Sequence, residues 1–433
     1  MKKFLSLLVI ILVLFLYGCA SIAKDGLDSS PKESGSYSRD EYAPSGERYG
    51  YEVSDGGYMP DMPTGESDVL PKDEATNNET QLRAGQLTAS VTMDNEKYEF
   101  WKSLLVPDQE GKALFQNYNK DYAFKTGNRI KLSFKKGTVA TVKLLNSDNT
   151  EFVGTTDANG VCYVFAKEDK NSYNITVSYL DKDNNLVSFD DEVTGDKEYD
   201  LETLESTRDL IEIMFVIDAT GSMGDEMNYL KVEITDVIRR VKEMNDNVRI
   251  LLSVMVYRDK GDEYVTRYND FTEDVESQIS FLSKQYASGG GDFEEAVETA
   301  LLEASQKQWT NSNSTKILVH VADAPAHDKD VEAWNAVTLA LAAKGIRVLT
   351  VASSGIDKKT EYFFRAQSIL TNGAYSYLTN DSGIGGSHID ATTEEKEEVE
   401  LLNDLLVRVI NGFHTGDYGT PVNWRQSQSG PQS

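Results

Sequence analysis

Cysteine is nearly absent: Cys19 and Cys162 are the only two in 433 residues, so no disulfide framework holds the fold. Histidine is almost as rare, with four in the chain and none at the spacing of a zinc hydrolase. Basic residues are outnumbered, 43 against 71 acidic ones, for a formal charge of −28. A surface of that sign repels phosphate backbones and excludes nucleic acid as a partner. It suits cation binding, or solubility outside the cell. Of the nine prolines, five fall early, at Pro31, Pro44, Pro60, Pro63 and Pro71. There is no internal repeat. Long apolar runs are missing apart from Phe4 to Tyr17. That run is shorter than the roughly 20 residues of a membrane span. Behind Lys2 and Lys3 it fits the core of a secretory signal.

The run closes as Leu16-Tyr17-Gly18-Cys19-Ala20, which resembles the lipobox of bacterial lipoproteins. The resemblance implies a signal peptide over 1–18 and a lipidated Cys19 as first mature residue, tying the chain to a membrane on the exported side of the cell envelope. Residues 19–82 are rich in Ser, Gly, Asp, Glu and Pro and lack apolar periodicity, so they read as a disordered tether. Residues 83–126 read as a short helical segment whose clustered aromatics, Phe100, Trp101 and Phe115, pack on a neighbouring domain. Over 127–205 short alternating runs separated by turns read as a small β-sandwich. Its stretch Thr155-Thr-Asp-Ala-Asn-Gly-Val-Cys resembles carboxypeptidase-regulatory-like and bacterial Ig-like modules. Cys162 lies there as a small buried hydrophobe.

The chain is organised around residues 211–224. Ile211 to Ile217 is almost all apolar, as in a parallel strand buried on both faces. It stops at Asp218, and oxygen side chains follow at alternate positions, Thr220 and Ser222. A helical stripe then begins with Met227, Leu230 and Ile234. Strand, oxygen-rich loop and helix together place the loop at the carboxyl end of a parallel strand, where open α/β sheets bind ligands. Converging oxygens suit a hard divalent cation, which takes about six such donors.

The Asp-x-Thr-Gly-Ser-Met motif after a buried strand closely resembles the metal-ion-dependent adhesion site of von Willebrand factor A domains. The resemblance covers about half the chain and places this domain at 206–415, before a flexible tail over 416–433. It implies an α/β doubly wound fold. It also implies that the cation is held by Asp218, Thr220 and Ser222, by Asp323 after the strand Lys316–Ala322, and by the loop Ser288-Gly-Gly-Gly-Asp292. The threonine usual in that loop falls at Gly291, so Asp292 is the expected substitute ligand. Ser288, Asp259 and His327 are expected just behind the ligands. Mg²⁺ is the expected ion, with Mn²⁺ or Ca²⁺ as alternatives.

Function follows from charge. Asp218 and Asp323 alone make a neutral site with a divalent ion, which would accept a carboxylate from a protein or glycan partner. A third acid would make the site anionic and less welcoming. The expectation is a membrane-anchored binding or adhesion protein and not an enzyme. The alternative is an envelope scaffold whose cation is structural. A hydrolase fits less well: Thr220 stands where phosphoryl-transferring relatives of this fold carry an acid, and no Gly-x-Ser-x-Gly elbow is present.

Overall fold

The computed structural model describes residues 82–107, 111–204, 208–244, 247–311 and 313–429. The expected signal peptide, Cys19 and nearly all of the tether lie outside the described residues. Among the described residues, no helix is long and apolar enough to cross a membrane.

The first elements are β1 (Thr88–Thr92), α1 (Tyr98–Leu105), α2 (Gln116–Asp121), β2 (Asn128–Ser133), β3 (Ala140–Leu145), β4 (Glu151–Thr155), β5 (Val161–Ala166), β6 (Tyr173–Leu180), β7 (Leu186–Val193) and β8 (Lys197–Glu198). Then come β9 (Leu210–Asp218), α3 (Met227–Met244), β10 (Arg249–Tyr257), β11 (Thr266–Thr272), α4 (Val275–Ser283), α5 (Val297–Ser305), β12 (Thr315–Ala322), α6 (Val331–Ala343), β13 (Ile346–Ala352), α7 (Lys358–Leu370), β14 (Ala374–Leu378), β15 (Glu400–Leu401), α8 (Leu402–Thr415) and α9 (Trp424–Ser429).

The main sheet has eight strands in the order β11-β10-β9-β12-β13-β14-β1-β15. β10, β9, β12, β13 and β14 run parallel, while β11, β1 and β15 pair antiparallel at the margins. β9, β12 and β13 are buried along their whole length. On β9, Ile211, Ile213, Phe215 and Ile217 pack on the layer of α3, α4 and α8, whereas Met214 and Val216 pack on the layer of α5, α6 and α7. Side chains alternate across a strand, so a sheet covered on both faces needs apolar residues at consecutive positions. The six strands from β11 to β14 form the doubly wound order 3-2-1-4-5-6, which reverses between β9 and β12.

The segment before the sandwich contributes more than helices. Ala89 pairs with Leu378 and Val91 with Ser376, so β1 extends the main sheet beyond β14. The approach to β1 is held by Glu233 of α3, whose buried carboxylate accepts from the N–H groups of Gly85 at 2.9 Å, Gln86 at 2.8 Å and Leu87 at 3.0 Å. The aromatics after β1 pack on α6 and α7: Trp101 stacks on Tyr362 at 6.2 Å, and Phe124 meets Trp334 edge-on at 5.8 Å. The chain therefore leaves the main sheet after β1, builds the sandwich, and re-enters at β9.

The sandwich pairs a three-stranded sheet, β5-β2-β8, with a four-stranded one, β4-β3-β6-β7. Ile130, Leu132, Val142, Leu144, Cys162, Val164 and Val177 fill its interior. Its 155–160 turn is shaped by Asp157, whose Oδ1 accepts from the N–H groups of Asn159 and Val161, both at 2.8 Å. The same turn docks on the main sheet. Arg208 Nη2 donates to Thr156 O at 3.0 Å, Asn159 Nδ2 donates to Gly416 O at 2.9 Å, and Arg347 lies 3.7 Å from Asp157. Arg208 precedes β9 and Arg347 opens β13, so the sandwich sits at the amino ends of the parallel strands. The oxygen-rich loop is at the opposite end.

Two helices start later than the sequence around them suggests. The apolar stripe of α5 opens at Phe293, but the helix begins at Val297, because Glu295 forms a bridge with Ala326. α8 begins at Leu402, after the acidic run 394–398 and the short strand β15. Part of the expected flexible tail is ordered as α9, where Trp424 N donates to Val399 O at 2.9 Å.

Candidate metal centre

Strand register builds the site. Ile217 of β9 lies beside Val321 of β12, so Asp218 and Asp323 emerge one residue out of step at the carboxyl ends of adjacent strands. This is the point where the strand order reverses, where a crevice must open between the two helical layers. On the other side of β9, Tyr257 pairs with Asp218, and Arg258 and Asp259 follow it.

The donors form a chain. Thr220 Oγ1 donates to Asp218 Oδ1 at 2.7 Å, and Thr220 N donates to the same oxygen at 2.9 Å. Thr220 Oγ1 lies 3.2 Å from Ser222 Oγ. Ser222 in turn lies close enough to Asp323 to favour its ionised form. Asp218 and Thr220 are fully buried and Asp323 nearly so, while Gly221 and Ser222 are exposed. The site is thus a narrow well with acids at its floor and a hydroxyl at its mouth.

Asp218 Oδ2 and Asp323 Oδ1 are buried and have no hydrogen-bond partner. Burial, and then the neighbouring Asp323, push the Asp218 carboxyl up to about 7. Burial, partly offset by the nearby Ser222 hydroxyl, pushes Asp323 up to about 6, with Glu226 and Asp225 adding to the rise. Two such acids facing one another without a cationic side chain are costly. A divalent cation would satisfy both orphaned oxygens and both charges, so the residues present fit the ion. Asp218, Asp323, Thr220 and Ser222 would hold it, leaving room for water or a partner's oxygen.

The middle loop is tied to the first by main-chain bonds. Ser288 N donates to Ala219 O and Gly221 N donates to Gly289 O, both at 3.0 Å. Gly290 N donates to Asp262 Oδ2 at 2.8 Å. Gly290 has φ +72, and a Cβ there would lie 2.9 Å from Glu295 Oε1 and 3.3 Å from Thr220 Cβ. Gly291, where the usual threonine would fall, has open space around its Cβ position. Arg258 stitches the loops together from behind: Nε donates to Ala219 O at 3.1 Å and Nη2 to Tyr286 O at 3.0 Å. Tyr264 and Tyr286 cover its guanidinium at 4.5 and 5.0 Å.

Asp292 does not gather with Asp218 and Asp323. Its exposed carboxylate lies 3.5 Å from His327 Nε2, and Asp259 Oδ1 lies 3.9 Å from His327 Nδ1. Among the described residues, Asp259, Asp292 and His327 form the one group of three acid, cysteine or histidine side chains with ligand atoms all within 4.8 Å of one another.

Glu295 is the acid that the sequence did not reveal. It is 2% exposed and its Oε2 has no partner. Burial, then Asp218, Asp259, Asp323 and Asp262, push its carboxyl up to about 9. Only the close approach of the Gly290 backbone marks its place. Glu226, also buried, anchors the glycine-rich loop after β14: His388 Nε2 lies 2.9 Å from Glu226 Oε1, and Ser354 N donates to that oxygen at 3.2 Å. Beneath the site, Tyr257 OH lies 3.2 Å from His320 Nε2, and His320 Nδ1 lies 3.2 Å from Gln367 Oε1. Burial lowers His320 to about 4, which keeps it a neutral core residue.

A doubly wound sheet with an Asp-x-Thr-x-Ser loop at its reversal point is an open α/β domain whose ligand crevice is lined by oxygen donors. Residues 212–393 match the sequence model of the von Willebrand factor A domain, in agreement with the doubly wound α/β fold of that stretch. Among curated proteins, the chain is 28% identical over 187 residues to an ariadne-like RING finger protein of Acanthamoeba polyphaga mimivirus, covering 39% of this chain and 18% of that protein. It is 24% identical over 156 residues to the alpha-protein kinase vwkA of Dictyostelium discoideum, covering 36% of this chain and 25% of that one. The chain thus spans a quarter or less of the length of either relative. A solved structure of the conserved hypothetical protein BatB from Bacteroides thetaiotaomicron aligns at 15% identity and a TM-score of 0.31, covering 39% of this chain and 89% of that one.

Proposed function

We propose that this protein is an exported, lipid-anchored binding protein whose von Willebrand factor A domain holds Mg²⁺, or Mn²⁺ or Ca²⁺ in its place, through Asp218, Thr220, Ser222 and Asp323. The ion serves to hold a protein or glycan partner, and the chain is not an enzyme. The observation that carries the reading is the pair of orphaned carboxylate oxygens, Asp218 Oδ2 and Asp323 Oδ1, at the reversal point of the sheet. With Asp292 on the surface beside His327, the Asp218 and Asp323 carboxylates alone balance the charge of a bound divalent ion. An acidic group on a partner is then a favourable further ligand.

Anchoring supports the same reading. A lipid on Cys19 and a tether of about 60 residues would let the domain reach roughly 40–45 Å from a membrane. The sandwich sits on the far side from the site, so it leaves the metal face clear for a partner. The test is capture of carboxylate-bearing peptides and acidic glycans on the immobilised whole chain, in Mg²⁺ and in chelator. The reading requires binding that chelator and Asp218→Ala both remove. Binding that is equal under all these conditions, or absent throughout, would contradict it.

A further inference from the structure

Beside the first site lies a second group with the composition of a metal centre, and each member comes from a different part of the sheet end. Asp259 follows β10, Asp292 lies in the loop between α4 and α5, and His327 lies in the loop after β12. Their ligand atoms all fall within 4.8 Å of one another. Metal–ligand bonds of about 2.1 Å put donors on one ion no more than about 4.2 Å apart, so side-chain rotation of about half an ångström closes the group.

The present partners do not satisfy these atoms. Asp259 Oδ1 and His327 Nδ1 are buried and neither has a hydrogen-bond partner, although they lie 3.9 Å apart. His327 Nε2 lies 3.5 Å from Asp292 Oδ2, again beyond a good hydrogen bond. A second observation is independent of the three. Glu295, 2% exposed, has an unpartnered Oε2, and its charge neighbours include Asp259 and Asp262 as well as Asp218 and Asp323. Its backbone is bridged to Ala326, next to His327, while its Oε1 approaches Gly290 beside Thr220. The nearby cations are committed elsewhere. Arg258 is bound to two carbonyls, and Lys260 Nζ lies 2.7 Å from Glu298 and 2.6 Å from Asp330.

We propose that Asp259, Asp292 and His327 form a second divalent-cation site that takes a borderline transition-metal ion such as Zn²⁺. The donor chemistry separates the two sites. Asp218, Thr220, Ser222 and Asp323 offer only oxygen and suit Mg²⁺, whereas an imidazole with two carboxylates suits Zn²⁺ and its neighbours in the first transition row. Three protein ligands leave at least one position open at an exposed edge. Asp292, at 61% side-chain exposure, is the ligand nearest solvent and swings in to close the group.

The test is equilibrium dialysis of the whole chain, without a histidine tag, against Zn²⁺ in excess Mg²⁺, followed by metal analysis. One zinc per chain is expected in the native protein, and none in His327→Gln or Asp292→Ala. Asp292 is exposed, so its replacement carries little risk to the fold, and a melting curve checks both variants. Asp218→Ala should keep its zinc while losing Mg²⁺, so failure of the first site is read apart from failure of the second. No zinc in the native chain, or zinc retained in full by Asp292→Ala and His327→Gln, would overturn the proposal. Zinc lost only in Asp218→Ala would overturn it too, by placing the ion in the first site.

Discussion

Removing Asp94 should unlatch the segment before the sandwich from the main sheet. Asp94 follows β1, and Arg365 of α7 grips its carboxylate with two hydrogen bonds: Nε to Oδ2 at 2.9 Å and Nη2 to Oδ1 at 2.6 Å. Both residues are buried. Arg365 Nη1 donates to Thr392 O at 2.5 Å and to Glu361 Oε1 at 3.2 Å, while Lys358 Nζ donates to Glu361 Oε2 at 2.7 Å. These four side chains sum to zero charge. Asp94→Ala leaves a net positive charge and strips acceptors from two buried N–H groups. Breaking one partner of a buried pair costs about 3–5 kcal/mol. Glu361 still faces the guanidinium, so the expected cost is near the lower end, about 3 kcal/mol. Urea denaturation of the whole chain beside Asp94→Ala measures it. Asp94→Leu combined with Arg365→Met should recover part of the loss, since Lys358 and Thr392 N still pair with Glu361. A cost below about 1 kcal/mol for Asp94→Ala, the level of an exposed pair, would refute the buried latch.

Other expectations follow from the same geometry. A fragment beginning at residue 206 lacks β1 and leaves Glu233 facing no N–H donors, so it should melt well below a fragment spanning 82–429; equal melting would contradict the role of β1. In chelator, Asp218 and Asp323 have raised pKa values, so the stability tied to their protonated forms is present below the ordinary value of about 4 and is lost as pH rises through 6 to 7. Asp218→Asn should therefore melt higher than the native chain at pH 8 in chelator, with the difference vanishing near pH 4. Gly291→Thr should leave stability nearly unchanged, whereas Gly290→Ala, at φ +72 against Thr220 and Glu295, should cost about 1 kcal/mol or more. Thermal melts that rank these two glycine variants the other way would show that the loop is placed differently.

The sheet was legible because its central strands are buried on both faces. A stretch such as Ile211 to Ile217, apolar at every position but Glu212, fits only a strand covered on both faces. Asp218, Thr220, Ser222 and Asp323 were legible for a related reason: each stands where a buried strand stops, so its position in space follows from its position in the chain. The rest depended on partners distant in sequence. Thr88-Ala-Ser-Val-Thr has little apolar character, and only the exposed edge of β14 and the acid on α3 make it a strand. Phe293, Ala296 and Val297 suggest a helix from 293, but the bridge from Glu295 to Ala326 delays it. That delay turns Glu295 inward and leaves Asp292 on the surface beside His327. Asp292, the substitute ligand expected from the sequence, and the buried Glu295 stand three residues apart, and no local pattern distinguishes them.

The central claim is that Asp218 and Asp323 share a divalent cation. Calorimetric titration of the whole chain with Mg²⁺, beside Asp218→Ala and Asp292→Ala, tests it most directly. The account predicts one Mg²⁺ per native chain, no binding in Asp218→Ala, and undiminished binding in Asp292→Ala. No heat in the native chain, or binding that survives Asp218→Ala, would contradict it.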